Sequence, residues 1–172
     1  PIDPVPQPRT EYTNYTPHAS KSTAQPSKYS VQVDTSYSND TTHRKSVTGI
    51  IGRLAGGTIS YKTKFQDIIA LSSTEAEFIA ACDAGKNCLY IRSILEDLGI
   101  PQEEATLIYE DNKAAITMAN AGRPTKRTKH IDTRYFALQS WVEQDLVLLK
   151  SVPTSDNSSD ALTKNVPRLL FN

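Results

Sequence analysis

The sequence predicts an α/β domain built on a five-stranded mixed sheet, an antiparallel meander plus parallel strands, flanked by helices. Three observations carry this. A β-rich run from Ser46 to Leu54 and another from Thr58 to Lys64 flank Gly56-Gly57, which marks a hairpin. Residues 77, 81, 84, 88, 91, 95 and 98 recur at steps of four and three, the stripe of one long helix. Downstream, apolar runs and helical patterns alternate to give the order βββ-α-β-α-α-β-α, so the first, fourth and fifth strands can run parallel through helical crossovers.

Residues 1–29 hold six of the ten prolines among Ser, Thr, Gln and Asn, without periodicity, and read as an extended linker or tail. The domain proper is residues 30–172. The opening Pro-Ile-Asp suggests a fragment cut from something longer. Tyr29 to Thr35 alternates as a first strand, with Asp34 near its carboxyl end, and Tyr37-Ser38-Asn39-Asp40 is turn chemistry. After the meander, Ser72 and Glu75 stand at capping-box spacing and open the long helix, Ser73 to Leu98, which Gly99 and Pro101 stop. Ala105 to Glu110 is a short apolar strand running into Asp111-Asn112, and Lys113 to Asn120 a short helix. Gly122 to Lys129 is a basic loop. Ile131 to Gln144 is an amphipathic helix with Ile131, Tyr135, Leu138 and Val142 on one stripe. Leu146 to Val152 is the fifth strand and Ser158 to Lys164 a final short helix.

The composition narrows the function classes. A chain of 172 residues, 38% hydrophobic and 22% charged with zero net charge, fits one globular domain with an appendage. Cys82 and Cys88, six apart on different faces of one helix, suit neither a bridge nor a metal and read as packed thiols in a reducing compartment. No apolar run reaches membrane-spanning length, and the N-terminus has no signal-peptide pattern. There is no His/Cys cluster for zinc, no Gly-rich phosphate loop and no serine with a convincing triad, so no small-molecule cofactor is expected.

Acidic residues carry the chemistry. Glu77 heads an otherwise apolar stripe, and a buried unpaired charge costs several kcal/mol or more unless it is paired, protonated or bound to a cation. Glu75 is turned about 200° away on an ideal helix, so Glu75 is assigned to capping and Glu77 to chemistry. In an open sheet, ligands gather where strand connections diverge at the carboxyl ends. If the fourth strand lies beside the first, Asp34 and Asp111 meet there, Glu77 descends from the helix, and Asp160 closes the cluster. Each has a competitor. Asp40 flanks the same turn as Asp34, Asp111 can cap the short helix, and Asp156, Asp160 and Ser158 compete as caps of the last one. Asp132 suits the first turn of its helix. Strand alternation points Glu110 to the face opposite Asp111. Four carboxylates would repel one another if empty, and a pair of Mg²⁺ ions relieves this, since hard cations take oxygen ligands. The segment Arg123 to Arg134 carries five Lys/Arg against one acid, suited to phosphate and sugar contacts without sequence reading. Its candidates are Arg123, Lys126, Arg127, Lys129, His130 and Arg134.

Ser72-Ser73-Thr74-Glu75-Ala76-Glu77-Phe78-Ile79-Ala80, Tyr109-Glu110-Asp111-Asn112-Lys113-Ala114-Ala115-Ile116, Arg127-Thr128-Lys129-His130-Ile131-Asp132-Thr133-Arg134-Tyr135-Phe136 and Asp160-Ala161-Leu162-Thr163-Lys164 together closely resemble the ribonuclease H domain of copia-type (Pseudoviridae) retrotransposon polyproteins. Arg44-Lys45-Ser46-Val47-Thr48-Gly49 is similar to that family as well. The resemblance covers roughly residues 30 to 171. It implies a ribonuclease H-like fold and Mg²⁺-dependent cleavage of the RNA strand of RNA/DNA hybrids during reverse transcription, with two ions for which Mn²⁺ can substitute. It also implies a reverse transcriptase domain in the same polyprotein and a cytoplasmic setting, within virus-like particles. The family's Asp-Glu-Asp-Asp set falls on Asp34, Glu77, Asp111 and Asp160. Where relatives often read Asp-Ala-Asp-Trp-Ala-Gly-Asp, this chain has Asp34-Thr35-Ser36-Tyr37-Ser38-Asn39-Asp40, and residues 153 to 159 lack the mobile histidine of cellular ribonucleases H. Two alternatives stand beside this reading: a catalytically silent connection or interaction module, and a DNA resolvase or integrase-type nuclease on the same scaffold.

Overall fold

Alternation in the first strand buries Tyr29, Val31, Val33 and Thr35 on one face, and that strand becomes the middle of the sheet. The computed structural model describes residues 27–40, 42–120 and 132–164, residues 132–135 by backbone alone. Its elements are β1 (Tyr29–Ser36), β2 (Val47–Leu54), β3 (Gly57–Phe65), α1 (Ser73–Asp97), β4 (Thr106–Glu110), α2 (Lys113–Asn120), α3 (Asp132–Glu143) and β5 (Val147–Ser151). Two short 3₁₀ turns follow, Thr154–Asp156 and Ser158–Leu162. The sheet order is β3-β2-β1-β4-β5, antiparallel across β1–β2 and β2–β3 and parallel across β1–β4 and β4–β5. This is the mixed sheet expected from the element order, with β4 beside β1. Connections leave β1 toward β2 and β4 toward β5, so the chain diverges between the carboxyl ends of those two strands.

The helix α1 begins as read. Ser72 Oγ accepts the N–H of Glu75 at 3.2 Å, while Glu75 Oε2 reaches back to the N–H of Leu71 at 2.9 Å, one residue beyond the expected capping-box partner. It ends in a Schellman arrangement: Gly99 sits at φ +75°, its N–H donates to Glu96 O, and Ile100 N–H donates to Leu95 O. The expected apolar stripe holds through Leu95, but Leu98 is exposed because it already belongs to the cap. From Glu75 to Cys82 the helix is buried all round, since it lies between the sheet and its neighbouring helices. Gly85 lets α3 approach; a Cβ there would come within 2.8 Å of the Trp141 ring. Both cysteines are buried and neither is in a disulfide, as packed thiols should be. Phe78, Ile79, Val31, Val33, Ile50, Ile108 and Leu138 form the centre of the core, each almost wholly excluded from water.

Two expectations are corrected. The hairpin turn is Ala55-Gly56 rather than Gly56-Gly57: Ala55 at φ +51° and Gly56 at φ +82° supply the two left-handed residues that match strand twist, and Gly57 already belongs to β3. The final helix over Ser158 to Lys164 is a 3₁₀ turn that stops at Leu162, tighter than an α-helix and capped by Asn157, whose Oδ1 accepts the N–H of Ser159. The proline-rich tail, up to residue 26, lies outside the described residues. Among the described residues no helix is long and apolar enough to cross a membrane.

Candidate metal centre

Four different elements deliver the acidic residues. Asp34 stands near the end of β1, where Gln32 is level with Tyr109 of β4; two residues further on, Asp34 comes level with Asp111. Glu77 hangs from the first turns of α1 above that point. One carboxylate oxygen each from Asp34, Glu77 and Asp111 lies within 4.8 Å of the others. Asp34 and Glu77 are buried and Asp111 half-buried. Asp160, on the Ser158–Leu162 turn, stands at the edge of this group rather than in it and pairs with the ammonium of Lys164.

The competing residues have roles of their own. Asn112 caps α2, its Oδ1 accepting from Ala114 and Ala115 at 3.0 and 3.1 Å, which leaves Asp111 uncommitted to the helix. Asn157 caps the last turn, so Asp160 is not its cap and pairs with Lys164 instead. Asp40 accepts the N–H of Thr42 and pairs with His43, a turn role that holds its carboxyl below the usual range. Asp156 is exposed and accepts from Ser155.

Neighbouring hydroxyls orient the carboxylates. Thr163 Oγ1 donates to Asp34 Oδ2, and Thr154 Oγ1 donates to Asp111 Oδ2 at 2.7 Å. Gly49, paired with Asp34 across β1–β2, allows the last turn to come this close: a Cβ there would fall 2.8 Å from Thr163 Cγ2 and 2.9 Å from both Leu162 Cβ and the Ser159 carbonyl. Asn157 ties that turn to β1 by donating to Val33 O at 2.8 Å.

Glu110 corrects the sequence reading. Alternation does send it to the α1 face, but Glu77 descends onto that same face, so Glu110 lies against the acidic group rather than away from it. It is wholly buried, its Oε1 accepts the N–H of Asn112 at 2.9 Å, and its Oε2 has no partner. Burial, the proximity of Glu110 and then the charges of Asp34 and Asp111 push the Glu77 carboxyl well above its ordinary range. Burial likewise raises Glu110, against the opposing Asn112 N–H, and raises Asp34 against the Thr163 hydroxyl and the Lys164 charge.

The residues fit a divalent cation. Glu77 Oε2 is buried without a hydrogen-bond partner, and three carboxylates converge where no basic side chain among the described residues pairs with Glu77. The basic candidates Arg123, Lys126, Arg127, Lys129 and His130 lie outside the described residues, as does the side chain of Arg134. Sequence reasoning missed Glu110, Thr154, Thr163, Lys164 and Gly49. Glu110 carries a related signal, a charge at the end of the alternating face Thr106, Ile108, Glu110, which is buried along its length. Thr163 and Lys164 follow Asp160 at steps of three and four, where one helical turn brings side chains together.

No protein-family model matches the chain. Over 138 residues, 80% of its length, it is 38% identical to a retrovirus-related Pol polyprotein from transposon TNT 1-94 of Nicotiana tabacum and 31% identical to one from transposon RE2 of Arabidopsis thaliana. The chain spans about a tenth of the length of these relatives. Among solved structures it superposes on LC11-RNase H1, isolated from compost, with a TM-score of 0.60 at 14% identity, covering 79% of this chain and 92% of the other. LC11-RNase H1 in complex with an RNA/DNA hybrid matches with a TM-score of 0.58 at 11% identity, covering 78% and 93%. Likeness at these identities shows the fold.

Proposed function

The chain has the ribonuclease H fold and belongs, by homology over 80% of its length, with the retrovirus-related Pol polyproteins of plant transposons; on that premise we propose that it is a two-metal-ion endonuclease hydrolysing the RNA strand of RNA/DNA hybrids during retrotransposon reverse transcription. The observation that carries this is the convergence of Asp34, Glu77 and Asp111 to within 4.8 Å from three separate elements. Fold and homology support a ribonuclease H function; the substrate and the metal mechanism are this proposal's own.

In this reading Asp34, Glu77, Asp111 and Asp160 hold two Mg²⁺ ions, for which Mn²⁺ substitutes. Bound there, the ions supply an activated water and stabilise the leaving oxygen of an in-line phosphodiester displacement. Asp34 and Asp111, level across β1 and β4, are fixed by the hydroxyls of Thr163 and Thr154 through one oxygen each, which leaves the other to a cation. Asp160 closes the open side on a turn short enough to reach Asp34. Arg123, Lys126, Arg127, Lys129, His130 and Arg134 grip the duplex through its phosphates, and 2′-hydroxyl contacts distinguish RNA from DNA. Residues 30–172 form the nuclease domain, entered through Tyr29 at the start of β1, and the residues before it a linker, within a polyprotein whose reverse transcriptase supplies the hybrid inside cytoplasmic virus-like particles.

The test is Mg²⁺-dependent cutting of a labelled RNA/DNA hybrid by the chain and by Asp111→Asn. Cutting that depends on Mg²⁺ and is lost in the variant is expected; equal activity in the variant rejects the site. A chain that binds hybrid yet cuts it with neither Mg²⁺ nor Mn²⁺ is a silent module. Cleavage of all-DNA substrates instead points to a resolvase or integrase-type enzyme.

A further inference from the structure

Glu110 has no place in the four-carboxylate set, yet it is the most deeply buried acid in the molecule's acidic group, at 0% exposure. It closes β4 on the face beneath α1, after Thr106 and Ile108. Its two oxygens do different things. Oε1 accepts the N–H of Asn112 at 2.9 Å, and Asn112 in turn starts α2, so this oxygen fixes the two-residue turn that presents Asp111. Oε2 is buried and accepts from nothing, and Glu77 Oε2 is in the same condition. Glu110 is the charged neighbour that Glu77 feels most strongly, ahead of Asp34 and Asp111. Among the described residues no Lys, Arg or His pairs with either glutamate.

A tether for the turn needs one oxygen and no charge; a glutamine would serve. A second, unpartnered carboxylate oxygen at the base of an acidic cluster is costly unless a proton or a cation answers it, and a divalent ion held by the adjacent Asp111 would take the proton's place. We propose that Glu110 is the floor of the metal centre, a positioning carboxylate that adds a fifth negative charge beneath the divalent ions while holding the Asp111 turn through Asn112. The inference rests on the metal reading given above. It predicts that cation affinity is set by five acids, not four.

Mn²⁺ titration by calorimetry and thermal melting, both on the full 172-residue chain, test it. Glu110→Gln keeps the shape and an acceptor for Asn112 N–H but removes the charge. The expected result is an Mn²⁺ dissociation constant raised about tenfold, in line with losses on altering groups behind metal ligands. The metal-free melting temperature should rise, and the gain on adding Mn²⁺ should shrink. A merely structural role gives the opposite pattern, a lower metal-free melting temperature and unchanged Mn²⁺ affinity, and overturns the assignment. Glu110→Asp keeps the charge and loses the reach to Asn112; it should bind Mn²⁺ more tightly than Glu110→Gln, and the reverse order also overturns the proposal. If the unaltered chain takes up no Mn²⁺, the metal reading itself falls and Glu110 with it, whereas equal affinities in a chain that does bind Mn²⁺ remove Glu110 alone.

Discussion

The two sides of the acidic site handle charge in opposite ways. On the sheet side, Glu77 and Glu110 are buried, each with one oxygen that accepts from nothing and no basic partner among the described residues. On the last turn, the Asp160 side chain is one-third exposed and carries its own cation, Lys164, four residues on. The difference follows from local geometry. A 3₁₀ turn at the surface can place a lysine within reach of an acid that precedes it by one turn and leave both partly in water, where the pair costs little. Beneath α1 neither glutamate has a basic partner among the described residues, so the charge is taken up by a proton or met from outside the chain. The sheet side is therefore neutralised by a proton or by a cation from outside the chain, whereas the last turn carries its own cation.

The strongest way to break this contrast is Glu77→Gln, which removes buried charge at constant volume. Cleavage of a labelled hybrid should fall on the order of 10³-fold, since a metal supplies several kcal/mol to the transition state and about 1.4 kcal/mol is tenfold in rate. Melting without metal should move the other way, upward, because the folded chain no longer has to take up a proton at this buried site. A variant that loses both activity and metal-free stability would mean that Glu77 is a structural group.

Next in size is Gly49→Ala, which drives the two sides apart. The added Cβ would meet Thr163 Cγ2 at 2.8 Å and the Ser159 carbonyl at 2.9 Å, and a backbone carbonyl yields only if the turn moves. A displacement near 1 Å at a catalytic group costs about 10²-fold, so cleavage should drop by that order while Mn²⁺ binding to the sheet-side acids is largely kept. Over-packing of this kind also costs about 1–3 kcal/mol of stability, measurable by denaturant titration. Full activity in Gly49→Ala would show that the approach of the last turn is not needed.

The sequence made the sheet side legible and the last turn hardly at all, for a physical reason. Period-2 and period-3.6 patterns report burial, so they found the strands, α1 and Glu77, whose charge contradicts its stripe. The same contradiction at Glu110 went unused because alternation told only which face it occupies, not that α1 lowers Glu77 onto that face. Ala55 was invisible as a turn residue because its left-handed backbone is imposed by strand twist rather than by its side chain. The caps of α2 and the last turn went to Asn112 and Asn157 rather than to the aspartates beside them, a choice between neighbouring residues that spacing does not decide. Thr163, Lys164 and Gly49 act through contacts between elements far apart in the chain, which no local period records.

Proton linkage sharpens the comparison further. In the metal-free chain Glu77 keeps its proton well above the ordinary value of 4.5, chiefly because of burial and then the Glu110 charge. The folded state then binds more protons than the unfolded one through that range, so stability falls as pH rises from the usual carboxylate range toward neutrality. The slope is at most about 1.4 kcal/mol per pH unit for one such proton. Saturating Mg²⁺ should flatten the fall, and Glu77→Gln should abolish most of it; chemical denaturation at several pH values measures both. A metal-free stability that climbs over the same window would mean that the buried acids have found a cation within the protein.

The smallest expected effect is the most diagnostic of the last turn. Lys164→Met removes the ammonium that Asp160 now holds and that also faces Asp34. An exposed pair of this kind is worth about 0.2–1 kcal/mol, so its loss should tighten Mn²⁺ binding by roughly 1.4- to fivefold, because the divalent ion no longer competes with lysine for Asp160. If Mn²⁺ instead binds more weakly in Lys164→Met, the lysine is a brace that holds Asp160 toward the site, and the two sides are neutralised in concert. A lysine that competes with the metal makes Asp160 the adjustable ligand of the four, released and recaptured as ions come and go, while the buried acids of the sheet stay fixed.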